Sequence, residues 1–552
     1  MTAQRGWCAK LPAMAEAGQR RPGTWESLRA ALRSRRIGAV TLQSFSSGLP
    51  LGLVWIALPA YLTYRGVDIR TVGLFSLAQA PWTFKFLWAP LLDRFEPGFL
   101  GRKRSWIVIC QGALLAGIGL LAAAGTSPSV GVVAGLAMLV AFASASQDVV
   151  IDGYAVDVLE RSEQGLAVGA RVALYRTAML LSGAVAITLG QRFGWPAVFA
   201  GLALLYVPLA GSVVWSPPPP PEVTRPPRTL REAIFDPLVD IFRRSRALQM
   251  ISFLLLYKFG ENLATALTRP FLIQKCFVPE DVGLATATIG LVAAIVGTFV
   301  GGSSTQKIGL TRALWLFGAI QAVGFLGYVV VDHMTPGAPC GGGATGTLVQ
   351  PLSSRLVMYA AVAVENSAQG MASGAFGVLL LRLTQKQFSS TQYALFSSIF
   401  AIGRTLAGPP AGFLADAVGW TPFFLLSVLA SAPGLVLLHK FAPLSAPEPE
   451  LDAEARVPAM PVSRRRLGAT GLTWAAGGFL VSAAVSALLA ALKAARTAGA
   501  TFDYGSALRR LFSPASPSDW IRIDSLAVVG LLAGAAAAAF LAARHGVTPR
   551  KR

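Results

Sequence analysis

Charge is what this sequence has least of. Of its 552 residues only 14% are charged, against roughly 25% in soluble domains, while 54% are hydrophobic and the mean hydropathy is +0.56. A soluble or a disordered chain is thereby excluded. Histidine is nearly absent. His333, His439 and His545 all fall at predicted helix ends or in loops, so neither a buried zinc cluster nor a Ser-His catalytic pair can be assembled. The four cysteines, Cys8, Cys110, Cys276 and Cys340, have no metal spacing, and no disulfide framework is expected. Nor do the first 36 residues contain the apolar stretch of a secretory signal. They carry eight Lys and Arg, and Trp25, Leu28 and Leu32 share one face of a predicted surface helix suited to anionic headgroups.

What the chain has is long apolar runs. A crossing of a roughly 30 Å hydrocarbon core takes about 20 apolar residues, and fourteen such segments are predicted: six over 37–215, six over 248–440 and two over 467–543. The fold class is therefore an all-α integral membrane protein of two six-helix bundles plus two extra C-terminal transmembrane helices. A basic segment over 1–36 precedes them, and a Pro/Arg-rich linker over 216–247, opening on Pro217 to Pro221, joins the bundles. A second linker covers 441–466 and a basic tail 544–552. The net charge of +21 would suggest nucleic acid in a soluble protein, but here the cations sit in short clusters between spans. With both termini inside, 33 of the 48 Lys and Arg fall on the inner face and 10 on the outer, so the positive-inside rule places the termini in the cytoplasm. One loop dissents, the outer one holding Lys493, Arg496, Arg509, Arg510 and Arg522.

The two sixes read as a duplication. Tyr175-Arg176 and Phe193-Gly194-Trp195 in the fifth span correspond to Gly403-Arg404 and Val418-Gly419-Trp420 in the eleventh. Ser146-Gln147-Asp148 in the fourth corresponds to Ala368-Gln369-Gly370 in the tenth.

Eight ionisable residues lie well inside apolar spans: Lys85, Asp148, Asp152, Arg176, Lys258, Glu261, Glu365 and Arg404. Unpaired, eight such ions would cost on the order of 20 to 28 kcal/mol, so they must face a wet cavity or one another. Equal depths along their helices suggest a Lys85–Asp148 pair, and the spacing of Lys258 and Glu261 suggests another. Asp148 and Asp152 share a face and are expected to cluster with Arg176. Glu365 with Arg404 would be the matching pair in the second half. One reading makes these ion pairs structural; the other makes at least one of the carboxylates the group that couples transport to protons. The loop after the second span, Asp93-Arg94-Phe95 through Gly101-Arg102-Lys103-Arg104, reads as a cytoplasmic gate in which Asp93 and Arg94 bridge to groups such as Asp157 or to the other half, with positive-inside anchoring as the simpler alternative.

That loop resembles the Gly-x-x-x-Asp-Arg-x-Gly-Arg-Arg-type motif of the major facilitator superfamily, with Ala89 in place of the first glycine and a longer loop. Within the superfamily the chain resembles the AmpG-type muropeptide permeases. The resemblance runs through Phe45-Ser46-Ser47-Gly48-Leu49-Pro50-Leu51, Phe84 to Arg94, Ser144 to Asp152, Leu256-Tyr257-Lys258-Phe259-Gly260 and Thr391-Gln392-Tyr393-Ala394-Leu395. It covers most of 37–440 and departs at Gly153-Tyr154-Ala155-Val156, a change that bears on substrate range. It implies the major facilitator fold and an inner-membrane, proton-dependent importer of N-acetylglucosaminyl-anhydro-N-acetylmuramyl peptides, serving peptidoglycan recycling and, indirectly, β-lactamase induction. No cofactor is implied beyond the proton gradient. The partners would be the small-molecule substrate, protons and membrane lipids, with no nucleic acid, and the protein would be a monomer. A sugar-peptide bearing carboxylates calls for cations such as Arg176, Lys258 and Arg404, polar partners such as Gln43, Ser46, Gln147, Asn262, Asn366 and Gln369, and aromatic faces such as Phe45, Trp55 and Tyr257. For the aromatics, packing is the competing reading. The alternatives are a carrier of acetyl-coenzyme A or another small solute, separable by competition of uptake, and a membrane-embedded acyltransferase, which lacks a reactive group at a water-accessible helix end.

Overall fold

Proline, glycine and buried lysine decide where the long apolar runs bend. The computed structural model describes residues 34–67, 75–125, 129–220, 229–244, 246–335, 350–444, 462–498, 502–514 and 517–545. The predicted surface helix around Trp25, together with Cys8 and Cys340, lies outside the described residues. The first half holds α1 (Arg35–Tyr64), α2 (residues 75–94), α3 (Arg102–Ala123), α4 (Val130–Val158), α5 (Gln164–Phe193) and α6 (Trp195–Trp215). The linker carries a short helix, α7 (Leu230–Arg243), whose Thr229 and Glu232 form a capping box. The second half holds α8 (residues 247–274), α9 (Glu280–Ile308), α10 (Leu310–Met334), α11 (Leu352–Leu383), α12 (Ser389–Val418) and α13 (Trp420–Lys440). Then follow α14 (Arg464–Ala498), the short α15 (Tyr504–Leu511) and α16 (Pro517–His545).

Ten of the helices among the described residues are long and apolar enough to cross a membrane. The other four expected crossings are helical too, but length and composition alone do not count them. In α2 the helix is broken by a tight 3-10 turn at Lys85–Leu87 between Pro81 and Pro90, and α8 is broken at Tyr257-Lys258. Glu365-Asn366 and Gln369 sit in the middle of α11, and α12 carries Arg404. Large apolar side chains such as Leu204, Leu429 and Leu531 point outward on the helices, as a lipid-facing surface requires.

The duplication is visible in the backbone. Gly101 before α3 and Gly309 before α10 have φ of 81° and 85°, and Gly194 before α6 and Gly419 before α13 both have 85°. Only glycine adopts this conformation without strain, so the same tight entry recurs before the third and the sixth helix of each half.

The position of the apolar core shows how the halves meet. One cluster is shared, joining Val150, Tyr154 and Leu166 of the first half to Leu254, Phe376 and Ala394 of the second. The remaining two belong to one half each, one around Leu58, Leu121 and Phe199, the other around Phe271, Phe325 and Phe424. The halves are therefore welded at the end that bears loop 95–101 and the linker, here called the basic face, and separate toward the opposite face. The weld is close. A methyl on Gly165 of α5 would stand 2.2 Å from the carbonyl oxygen of Gly302 on α9. The linker starts pinned to the first half, where Tyr154 donates to the Pro217 carbonyl at 2.6 Å and Arg104 to that of Ser216 at 3.0 Å.

The dissenting basic loop lies at the opposite face, next to the end of α12. Lys493 pairs with Asp416 at 2.5 Å and Arg496 donates to the Asp416 and Ala415 carbonyls at 2.7 and 3.3 Å. A helix C-terminus and a carboxylate thus absorb two of its cations. Glycines 471 and 478 of α14 face Gly534 and Gly530 of α16, and Phe540 meets Phe242 of α7 edge-on at 5.4 Å. One expectation is corrected: Cys276 is disulfide-bonded, while Cys110 is free and buried. Cys276 ends a helix at the opposite face, and pairing across loops is a matter of tertiary distance that spacing does not reveal.

Candidate functional site

The cleft between the halves is lined by the intramembrane charges, and their pairing differs from what depth along the chain suggests. Lys85, exposed to the site by the break in α2, pairs with Asp152 at 3.3 Å, not with Asp148. Asp152 also receives Arg171 at 2.5 Å. Arg171, near the start of α5, reads in the sequence as an end-of-helix cation and is an addition to the expected site. It donates to Ser44 at 3.0 Å as well, and Tyr393 of α12 reaches it from the other half. Asp148 is left with the Ser47 hydroxyl, in a short contact. Arg176 does not join this cluster. It is half-buried, and the carboxylates that act on it are Glu261 and Glu365 of the second half.

In the second half Lys258 is 1% exposed and fully engaged. It contacts Glu261 closely and donates to Gln321 at 2.7 Å, Ser373 at 2.9 Å and the Gln369 carbonyl at 3.3 Å. Gln369 donates to Glu261 at 2.8 Å. The expected Glu365–Arg404 pair does not form. Glu365 accepts from Asn366 at 2.6 Å and Tyr328 at 3.4 Å, whereas Arg404, exposed, lies over the Trp55 ring of α1 at 5.7 Å. Register along a helix fixes depth but not which neighbour a side chain faces, which is why both expected pairings give way.

The repeat extends to these side chains. In the first half Gln111 of α3 donates to Gln43 at 2.8 Å and to Ser46 at 3.1 Å, and Gln147 of α4 reaches Ser46. In the second half Gln321 of α10 and Gln369 of α11 make the corresponding contacts to Lys258 and Glu261 of α8. A neutral network on one side thus stands where an ion pair stands on the other. Gln43, Ser46 and Gln147 are buried within their network, and Asn262 is buried with its amide nitrogen unpartnered among the described residues. Trp55 meets Trp82 edge-on at 6.0 Å, and Phe45 packs partly buried on the core of the first half. Tyr257 is removed from the cleft: 2% exposed, it stacks on Phe376 and donates to the Leu314 carbonyl at 2.8 Å. Packing wins at this aromatic.

At the basic face the loop after α2 closes on the second half. Helix α12 begins after Phe388, which offers no side-chain acceptor, so its first N–H groups need partners from elsewhere. Asp93, 1% exposed, supplies one by accepting from the Thr391 N–H at 2.9 Å and its hydroxyl at 2.8 Å. Lys103 stands 3.2 Å from Asp157 and 3.8 Å from Asp93, contacts Ser389 and donates to Ser390 at 2.8 Å. Arg102 donates to the Asp93 carbonyl at 2.9 Å. Arg94 and Arg104 bind within their own half instead, the first over Phe95 and the second at the Leu100 and Ser216 carbonyls.

Two duplicated bundles, joined at one end by polar contacts between Asp93, Lys103 and the start of α12 and bearing buried charge between them, have the architecture of a secondary transporter. The chain belongs to the major facilitator superfamily, whose family model matches residues 40–377. Within it the chain belongs to the family of the anhydromuropeptide permease of Escherichia coli K12, to which it is 38% identical over 405 residues, 73% of this chain and 79% of that protein. An uncharacterised Haemophilus influenzae protein is 32% identical over 76% of this chain and 97% of its own length. Among solved structures, the E. coli fucose:proton symporter matches with a TM-score of 0.55 at 11% identity, covering 73% of this chain and 98% of its own. A bacterial homologue of the iron transporter ferroportin, in its outward-facing state, matches with 0.52 at 14% identity, covering 75% and 98%. At those identities the structures speak for the fold alone. The family model and the relatives that carry a functional name are those of permeases and transporters, and the chain is a membrane transporter and not an enzyme.

Proposed function

We propose that this chain is a proton-coupled importer of anhydromuropeptides in a bacterial inner membrane, with its basic face and both termini in the cytoplasm. The observation that carries the reading is a cleft shut at the basic face whose walls hold one arginine from each half, Arg176 and Arg404, with no carboxylate among the described residues in ion-pair distance of either. Both are repeat-related, and each reaches toward the opposite half. A substrate with carboxylates on a sugar-peptide frame would complete such a pair, with Trp55 and Phe45 as surfaces for a sugar face and Asn366 for an amide. The E. coli relative carries such a substrate by name, and its similarity extends over 73% of this chain. The carboxylates in the cleft supply groups for proton coupling, and the excess of basic loops on one face supports the orientation.

The test is uptake of labelled anhydromuropeptide by vesicles holding the full chain, with and without an imposed inward proton gradient. Accumulation that rises with the gradient supports the reading. No uptake of anhydromuropeptide, together with uptake of labelled acetyl-coenzyme A that unlabelled anhydromuropeptide does not compete, would replace it with the other carrier.

A further inference from the structure

Of the four carboxylates in the cleft, Asp152 is paired with two cations and Glu261 with one among the described residues. Asp148 has none in ion-pair contact among the described residues, but it is partly open to the cleft, holds the Ser47 hydroxyl and sits beside the Lys85 and Arg171 charges. Glu365 differs from all three. It is 4% exposed, its Oε2 takes both donors, Asn366 and Tyr328, and its Oε1 has no partner among the described residues. No cation among them stands within ion-pair distance. The groups facing it are Tyr328 from α10, Glu261 and Lys258 from α8, and Arg176 from α5. Lys258 is already spent on Glu261. Asp281, at the start of α9, is tied to Arg355 at 2.5 Å and Tyr359 at 2.6 Å, toward the start of α11. An anion so placed would bear a desolvation cost that two neutral donors on one oxygen only partly offset, and a neutral carboxyl avoids it.

Arg176 is the complementary case, a cation with no carboxylate in ion-pair distance among the described residues. The two residues rise from a common contact. Val168 of α5 touches Gly377 of α11 near the basic face, where a methyl on Gly377 would stand 2.8 Å from the valine. From that contact Arg176 lies about 12 Å up α5 and Glu365 about 18 Å up α11, at roughly 1.5 Å per residue. When the halves pivot there and shut the opposite face, the gap between the two helices narrows in proportion to distance from the pivot, and so it narrows at both of those heights.

We infer that Glu365 Oε1 carries the coupling proton while the cleft faces away from the basic face, and that Arg176 displaces it by forming an ion pair with Glu365 when the halves close over the substrate. The proton taken from the outer water leaves to the inner side as the Arg176–Glu365 contact forms, and no other bond changes. This deepens the proton-importer reading and rests on it.

The test uses the full chain in proteoliposomes with labelled anhydromuropeptide, comparing gradient-driven accumulation with substrate counterflow, which needs no net proton movement. In Glu365→Gln, accumulation falls roughly ten-fold or more while counterflow persists. In Arg176→Gln, accumulation falls because the proton is not expelled, and counterflow weakens with it because Arg176 also faces the substrate, so here only accumulation is read for the displacement. Gradient-driven accumulation in Glu365→Gln at the wild-type level overturns the inference, as does its loss in Asp148→Asn alone. Should Glu365→Gln lose counterflow as well, Arg176→Gln decides: full accumulation there refutes the displacement. A wild-type chain indifferent to the gradient refutes the proton reading itself, an outcome separate from these.

Discussion

Asp93 of the first half caps the helix of the second half that begins after Phe388, its Oδ2 accepting from both the N–H and the hydroxyl of Thr391 at 2.9 and 2.8 Å. The bond ties the two halves only while the basic face is shut. Replacing Asp93 with Asn removes the charge that faces Lys103 and the helix N-terminus, a loss of about 1 to 3 kcal/mol from the shut state. We expect a population shifted roughly ten-fold toward the state open at the basic face, read from the labelling rate of cysteines placed along α12, with expression unchanged. Equal loss of folded protein and transport would reduce Asp93 to a structural role.

Gly153 of α4 is the second control of this junction. A methyl there would meet Lys103 Nζ and Ser390 Oγ at 2.3 Å and the Ser390 Cα at 2.9 Å. Gly153→Ala therefore favours the open basic face by sterics, without altering charge. The same cysteine labelling should rise as in Asp93→Asn, whereas labelling at the wild-type rate would show that the backbone yields.

Asp152 and Asp148 should separate in stability. Asp152→Asn leaves Lys85 and Arg171 without their counter-ion, at a cost of about 3 to 5 kcal/mol. Asp148→Asn loses little beyond the Ser47 contact, about 1 kcal/mol. Thermal unfolding in detergent should rank them in that order, and the reverse order would refute this assignment of partners.

The extra helix pair is held to α12 at the opposite face. Lys493→Ala should change little, within about 0.5 kcal/mol, because its bond to Asp416 is exposed. Arg496→Ala removes donors from the last carbonyls of α12, so amide exchange should quicken in the turn around Ala415 to Val418. Unaltered exchange there would leave α14 without a capping role.

The spans are the most legible part of the chain. A membrane forces each crossing to satisfy its backbone internally, so an apolar run of sufficient length declares itself. The runs that declare themselves least, in α2, α8, α11 and α12, hold Lys85, Lys258, Glu261, Glu365 and Arg404, because charged residues and proline there interrupt the pattern, whereas α4 and α5 declare themselves although they carry Asp148, Asp152, Arg171 and Arg176. Lys258 and Glu261 can be paired from their spacing because both lie on one helix. Lys85 with Asp152 and Arg404 over Trp55 cannot, since each pairing joins two helices. Arg171 escapes a reading of the sequence because a cation near a predicted helix end looks the same whether it meets headgroups or a buried aspartate.

Composition and periodicity by themselves determined an all-helical membrane chain with a doubled core, because the cost of exposing polar backbone to lipid acts on each segment independently of its neighbours. Tertiary structure alone decided which charges neutralise one another, that Tyr257 packs, and that the halves are joined at the basic face and parted at the other. Those outcomes depend on the rotation and tilt of one helix against the next, and that geometry emerges only when all the helices pack together.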